Sequence, residues 1–492
     1  MTISRPYKIP GLKIYLLFFI LSFWACSEKS GGKSDYSTSL DSLHFDSTSV
    51  DFDLAEIKER GTIRVILENT STGYFLYKGR TMGFHYELVK DFCDKNGLNM
   101  EIIIENDFNT SFQKLLKGEA DIIAHSLTIT KGRKEIVSFI NPHYEVRQML
   151  IQHKPDGWEK MKKHEIENRL IKSPSELIGK KIHVKKGSSY SKRLQNLSDE
   201  IGGDIIIVQE NGEVLTEELI VMVADKTIEY TVADEDLADV GATYFDNIDV
   251  NMPLSLPTQV GWAVRKNSAG LLVELNIWIS ELKSKPDFNV LFNKYYDDPK
   301  GFKRRVQSDF STIAGSSISP YDDLIKKYAL TIDWDWRLLA AQIYQESQFN
   351  PKAKSWMGAQ GLMQLVPNTA KEFAATHILD PEQNIRAGTK YIKWLEEYWC
   401  KYIDDPAELE KFVLASYNSG QGHVLDAMKL AEKYGKDPKI WDNNVEFYML
   451  QKSKPKYYKD PVANSGYCRG REPVNYVISI KKQFEIYKQF FN

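Results

Sequence analysis

DWDWRLLAAQIYQESQFNPKAKSWMGAQGLMQLVP occupies residues 333–367, and its reading decides the C-terminal fold. Trp336, Leu339, Ala340 and Ile343 recur at helical spacing and give one apolar face. Asp333 is the expected N-cap, with Asp335 adding negative charge to the first turn. Asn350-Pro351 is the expected stop, because a residue before proline is pushed out of the α region. Glu346 stands three residues after Ile343, so it continues the apolar stripe rather than the solvated face. A carboxyl so placed loses hydration, its charged form is disfavoured and its pKa rises. Such a group holds a proton near neutrality and suits general acid catalysis.

The stretch has partners downstream. E-S-x-F-N-P-x-A at 346–353, G-A-x-G-L-M-Q-L at 358–365 and S-Y-N-S-G at 416–420 resemble the soluble lytic transglycosylase domain of the goose-type lysozyme superfamily. DPEQNIRAGTKY at 380–391 and GYCRGREPVNYV at 466–477 are similar to one branch, the membrane-bound lytic transglycosylases F. The resemblance implies an all-α lysozyme-like domain acting on the β-1,4 bond between N-acetylmuramic acid and N-acetylglucosamine in peptidoglycan. It implies Glu346 as the catalytic acid, with Ser347, Gly361, Met363, Gln364, Tyr417, Asn418 and Tyr476 around the substrate. Three of these also have a plainer reading. Ser347 caps a helix end, Met363 is core, and Tyr476 packs. Helices are expected at 321–329, 335–348, 367–375, 383–403, 407–417, 421–433, 441–450 and 472–489.

Upstream, strands alternate with helices. Strands are expected at 62–67, 100–104, 121–124, 181–184, 204–208, 227–232 and 259–265, and helices at 83–95, 109–117, 213–224 and 269–296. Such alternation indicates an α/β domain with parallel sheets. GTIRV at 61–65, GEADIIAHSLTITKGR at 118–133 and FINPHY at 139–144 resemble the two-lobed solute-binding domains of amino-acid ABC importers. The resemblance implies that Ser126, Thr128 and Arg133 grip a ligand carboxylate, that Ser188 and Ser189 in a second-lobe loop donate hydrogen bonds, and that Asp234 holds an amino group. Arg supplies the planar fork a carboxylate needs, although Asp234 beside Glu235 and Asp236 also reads as a solvated cluster.

Residues 1–25 carry Arg5, Lys8 and Lys13 and then the apolar run Ile14 to Ala25, the plan of a secretory signal. Ala25-Cys26 at its end resembles a bacterial lipoprotein signal, with Cys26 as the lipidation site. The Ser-, Gly- and Asp-rich residues 26–50 then read as a flexible tether from a membrane surface. The expected division is 51–300 for the solute-binding-like domain (second lobe about 152–257), 301–320 for a linker with a solvated basic cluster at Lys303–Arg305, and 321–492 for the lysozyme-like domain.

With 492 residues, two or three domains are required. A net charge of −3 points to no polyanion such as nucleic acid as a partner. The 12% aromatic content, with 26 Tyr and 10 Trp, suits a carbohydrate groove as well as large cores. Cys26, Cys93, Cys400 and Cys468 show no CxxC pairing or His spacing, so neither metal nor cofactor is expected. Cys400 and Cys468 stand either as free thiols or, in an oxidising compartment, as a pair. The expectation is an envelope enzyme anchored at the outer membrane, acting on peptidoglycan and modulated by a muropeptide or amino-acid ligand. Its rivals are a goose-type hydrolase and a solute-binding sensor whose lysozyme-like domain is inactive.

Overall fold

The computed structural model describes residues 50–306, 308–313 and 315–491. The signal stretch, nearly all of the tether and Cys26 lie outside the described residues.

The N-terminal half builds two sheets. In the first, Thr62–Leu67 lies between Asn99–Ile104 and Ile122–Ile123, all parallel, and Ala263–Val264 and Ser138–Phe139 complete the five strands. Ile63, Val65, Ile66 and Leu67 are fully buried, as a central parallel strand covered on both faces requires. In the second sheet Lys181–Lys185 runs parallel to Ile206–Glu210 and Tyr230–Asp234, and Gln148–His153 and Ile248–Pro253 close it antiparallel. A short ribbon, Tyr144–Val146 against Thr258–Val260, carries the chain between the two lobes in both directions. The second lobe therefore begins at Gln148, a few residues before the sequence pattern marks it.

From Asp322 onward every named element is helical. Pro406–Ser419 packs against Pro381–Trp399, Gln421–Lys433 and the C-terminal helix Arg471–Phe490, around a core that includes Leu339, Ile343, Leu395, Trp399 and Phe412.

The linker is less free than its composition suggests. Arg305 is buried, donates to the Lys294 carbonyl and lies over the Tyr295 ring, so the basic cluster is not simply a solvated face. Farther on, the linker pairs with the first lobe's hairpin, Phe75–Tyr77 and Arg80–Met82. Lys78 N–H donates to the Phe310 carbonyl at 2.8 Å, and Thr312 N–H to that of Leu76 at 3.0 Å. The tip of that hairpin, Gly79 at φ +76°, docks on the helical domain. Its carbonyl accepts from Gln483 Nε2 at 3.1 Å and the Tyr487 hydroxyl at 3.0 Å. A Cβ at Gly79 would stand 2.6 Å from the Phe349 ring and 2.7 Å from the Tyr487 hydroxyl, so only glycine fits this approach. Nearby, Phe490 packs on Tyr74 and Gln489 Nε2 donates to the Ile102 carbonyl.

Candidate active site

Glu346 sits in the last turn of the helix Trp336–Ser347. The N-cap is Asp335, whose carboxylate accepts from Arg337 N–H at 2.9 Å; Asp333 stands outside with φ +54°. The helix stops before the proline, because Gln348 and Phe349 both turn left-handed at φ +50° and +61°. This turn brings Phe349 back against the helix, where it is buried with its ring 5.8 Å from that of Tyr344, and leaves Glu346 half-buried at the helix end.

The Glu346 carboxyl is half-buried by surface area, yet closely surrounded. Burial pushes its pKa up to about 7, while a hydrogen bond from the Tyr476 hydroxyl to Oε1, at 2.5 Å, works the other way. Tyr476 belongs to the C-terminal helix and is buried. Gln342, fully buried one turn before Glu346, lies near the Tyr476 hydroxyl without forming a well-aligned hydrogen bond. Tyr417, on the helix Pro406–Ser419, has its phenol pKa raised by burial and then by the Glu346 charge, and its hydroxyl donates to the Met363 carbonyl at 2.8 Å.

Several residues expected at the substrate have other work. Met363 is fully buried, and its side chain fills the space beside Gly388. It therefore offers a backbone rather than a sugar-packing surface. Gly361, at φ +82°, would place a Cβ 2.2 Å from Asn384 Nδ2, so it serves close packing behind the loop. Ser347 is buried and its hydroxyl donates back to the Ile343 carbonyl at 3.1 Å; it neither touches nor orients Glu346. Gln364 turns at φ +46° and spends its amide N–H groups on the Ala353 and Gly361 carbonyls, at 3.1 and 2.9 Å. Asn418 is exposed. The structure thus brings Glu346, Tyr417 and Tyr476 together and leaves Ser347, Gly361 and Met363 behind them.

One positioning residue was missed. Asn384 is fully buried; its Oδ1 accepts from Met363 N–H at 2.7 Å and its Nδ2 donates to the Ile378 and Gln360 carbonyls, at 2.7 and 3.1 Å. It holds the 358–365 loop against the Pro381–Trp399 helix. The available signal was a polar residue within that helix's apolar stripe, between Pro381 and Ile385.

The six residues expected to grip a ligand in the N-terminal half lie along the seam between its lobes, in two cavities. Ser126 and Asp234 face an enclosed cavity of about 50 Å³; Thr128, Arg133, Ser188 and Ser189 line an outer one of about 540 Å³. Asp234 is buried, not solvated. Its Oδ1 lacks a hydrogen-bond partner among the described residues, and burial, then Asp236, holds its pKa well above the carboxylate range. Arg133 is buried and already committed to the Thr128 and Gly187 carbonyls, at 2.9 and 3.2 Å. The lobes are shut on one another. Ser71 bonds Glu217, Lys185 pairs with Glu68, and Ser189 Oγ donates to Thr128 Oγ1 at 3.1 Å. Burial raises the pKa of Glu217 to about 7 and lowers that of His125 to about 4, so both lean toward neutrality in the closed seam. In the helical domain Cys400 and Cys468 are both free thiols.

The family model for the transglycosylase SLT domain matches residues 323–440, and that for bacterial extracellular solute-binding proteins, family 3, matches 54–298. Over 436 residues the chain is 36% identical to membrane-bound lytic murein transglycosylase F of Desulfosudis oleivorans, covering 89% of this chain and 92% of that protein. The chain belongs to the membrane-bound lytic murein transglycosylase F family. A second member, from Pseudomonas fluorescens, is 31% identical over 88% of this chain and 86% of its own length. Among solved structures, holo ArgBP from T. maritima aligns with a TM-score of 0.40 and 23% identity, over 49% of this chain and 99% of that one. This transglycosylase F family member therefore joins a solute-binding-like α/β domain to a helical SLT domain in one chain. Among the described residues no helix is long and apolar enough to cross a membrane.

Proposed function

We propose that this peptidoglycan lytic transglycosylase cleaves the β-1,4 bond between N-acetylmuramic acid and N-acetylglucosamine without water, using Glu346 as its acid and then its base. The observation carrying this is the electrostatics of Glu346: burial and the Tyr476 hydroxyl account for its shifted pKa, with no carboxylate contributing among the described residues. Two-carboxylate glycosidases flank the bond with a second acid that activates water or attacks the sugar. A lone protonated carboxyl needs the substrate to supply the nucleophile. Glu346 gives its proton to the leaving glycosidic oxygen, and the N-acetyl group stabilises the positive anomeric carbon. The Glu346 carboxylate then takes the proton of the C6 hydroxyl. That oxygen bonds to the anomeric carbon and closes a 1,6-anhydro ring. The attack is intramolecular, so no water need be bound. Tyr476 steadies the carboxylate formed midway, Tyr417 walls the cleft, and Gln364 and Asn418 face the acetamido groups from its rim.

The test is mass spectrometry of peptidoglycan digested by the wild type and by Glu346→Gln. Anhydro-muropeptides from the first and none from the second support the reading; reducing ends from the wild type would assign a hydrolase instead.

A cell-wall fragment bound between the lobes, a muropeptide or amino acid, modulates this activity. Supporting this, the docked hairpin touches Phe349, three residues from Glu346, and the helix that carries Tyr476. A ligand that opens or shuts the lobes biases that contact if it favours one state. Calorimetry with stem peptides, paired with cleavage rates, tests this; binding without a rate change rejects it. Cys26 carries the lipid that holds the enzyme at the outer membrane, facing the periplasm, which the apolar run ending at Ala25 supports.

A further inference from the structure

A row of aromatic rings leads away from the Glu346 site along the helix Pro381–Trp399. Tyr417, which borders Glu346, lies 5.1 Å from the Tyr391 ring, centroid to centroid. Trp394 follows at 6.1 Å and 23°, Tyr398 at 6.2 Å and 26°, and Tyr402 at 5.8 Å. Residues 391, 394 and 398 recur at three- and four-residue steps, so they share one face of the helix, and Tyr402 continues the row from the turn just after it. That face lies at the edge of the core, against which Tyr391 and Tyr398 pack. Ile392, Leu395 and Trp399 point inward and are fully buried, whereas Trp394 and Tyr402 are 38% and 37% exposed. Tyr391 and Tyr398 are half-buried.

Such a row is costly to leave in water, and a contiguous exposed apolar patch marks a binding surface more often than a scatter of single residues does. Its chemistry is that of a polysaccharide platform. The axial C–H faces of pyranose rings are apolar and weakly positive, and aromatic faces are negative. The stacked rings brace one another, so little side-chain freedom is lost on binding. The row runs about 10 Å from Tyr391 to Tyr398 at 1.5 Å per helical residue, and Tyr402 extends it further. That is far longer than one sugar ring.

We propose that Trp394, Tyr398 and Tyr402 form a distal binding track for the glycan strand, continuous with the cleft at Glu346 and holding sugars beyond those next to the scissile bond. The proposal rests on the reading of that cleft as the strand-cleaving site. Its occupant is the uncut polymer, because the row is joined ring to ring with the wall of the cleft that polymer enters. The track makes the enzyme prefer long strands to short oligosaccharides.

The test uses the full chain with Trp394→Ala and Tyr398→Ala together, and separately Trp394→Tyr. KM is measured on long glycan strands and on a short oligosaccharide of the same repeat. The double variant is expected to raise the long-strand KM about tenfold, the equivalent of about 1.4 kcal/mol, and to abolish the preference for length. Trp394→Tyr is expected to keep most of that preference, which a merely structural role for Trp394 would not explain. In the Glu346→Gln background the double variant should co-sediment with sacculi about tenfold more weakly. An unchanged length preference overturns the proposal. So does a shift in oligomeric state with strand KM unaltered, which would assign the row to a second copy of the chain. Failure of the underlying reading looks different: the wild type would release no muropeptides from any strand, and both inferences would fall.

Discussion

Burial at the end of its helix favours the protonated form of Glu346, and this fixes how its contribution varies with pH. Burial lifts the folded-state pKa from 4.5 to about 7, so between these values the native chain holds a proton that the unfolded chain has released. The stability of the neutral carboxyl is complete below the unfolded value and is lost as pH rises through the folded one. Replacing Glu346 by Gln is therefore expected to stabilise the protein near pH 8 by up to about 3 kcal/mol, with the gain vanishing near pH 4; urea titrations at both pH values check this. The same substitution should lower the cleavage rate by at least about a hundredfold, the usual worth of a general acid. Tyr476→Phe removes the hydrogen bond that favours ionised Glu346. The alkaline limb of the pH–rate profile should then move upward, while the rate falls on the order of tenfold because the carboxylate needed in the second step is less stable. A limb that moves down would contradict this account.

The loop at 358–365 and its Asn384 clasp form one element in three dimensions, though the sequence separates them. Asn384→Ala strands the Met363 N–H and the Ile378 and Gln360 carbonyls in a buried site and is expected to cost about 2–4 kcal/mol, read by thermal or urea unfolding. Gly361→Ala meets Asn384 from the other side, at a left-handed φ, and should lose a similar amount. Legibility in the sequence follows the same division. The sheltered place of Glu346 was readable because a carboxyl interrupting an i, i+3, i+4 stripe is a local pattern. The inward turn of Met363 was not, since it depends on the left-handed backbone at Gln364 and on a helix twenty residues away. The α/β alternation exposed most strands of the first lobe's sheet, though not Ser138–Phe139, and three of the second's, but Ile248–Pro253 and the Gln148–His153 strand escaped. Buried along nearly its whole length, the latter lacks the period-two signal of a one-sided strand. The helices Ser189–Ile201 and Glu235–Tyr244 were also passed over, although Tyr190, Leu194 and Leu197 do carry a helical stripe. The short hairpin at 75–82 has too few residues for any periodicity to register.

Across the whole molecule, the two domains meet where that hairpin reaches the helical core. Gly79→Val drives a branched side chain into Phe349 and the Tyr487 hydroxyl. It should cost about 1–3 kcal/mol and split one calorimetric unfolding transition into two; a single unshifted transition would show that the junction does not couple the domains. Cys26→Ser is expected to release the protein from the membrane fraction, which fractionation and immunoblotting follow. The helix Arg471–Phe490 takes part on both sides of the junction, giving Tyr476 to Glu346 and Gln483, Tyr487 and Phe490 to the first lobe. It is also made after every other named element of both domains. Domains fold in the order in which they are synthesised, so both domains can be largely built before the helix that tunes the acid and ties them together exists. A truncated or stalled chain would carry the acid without its phenol partner and without its tie to the other domain. Synthesis through this helix is thereby needed before the surroundings of Glu346 are whole, in an enzyme that cuts the cell's own wall.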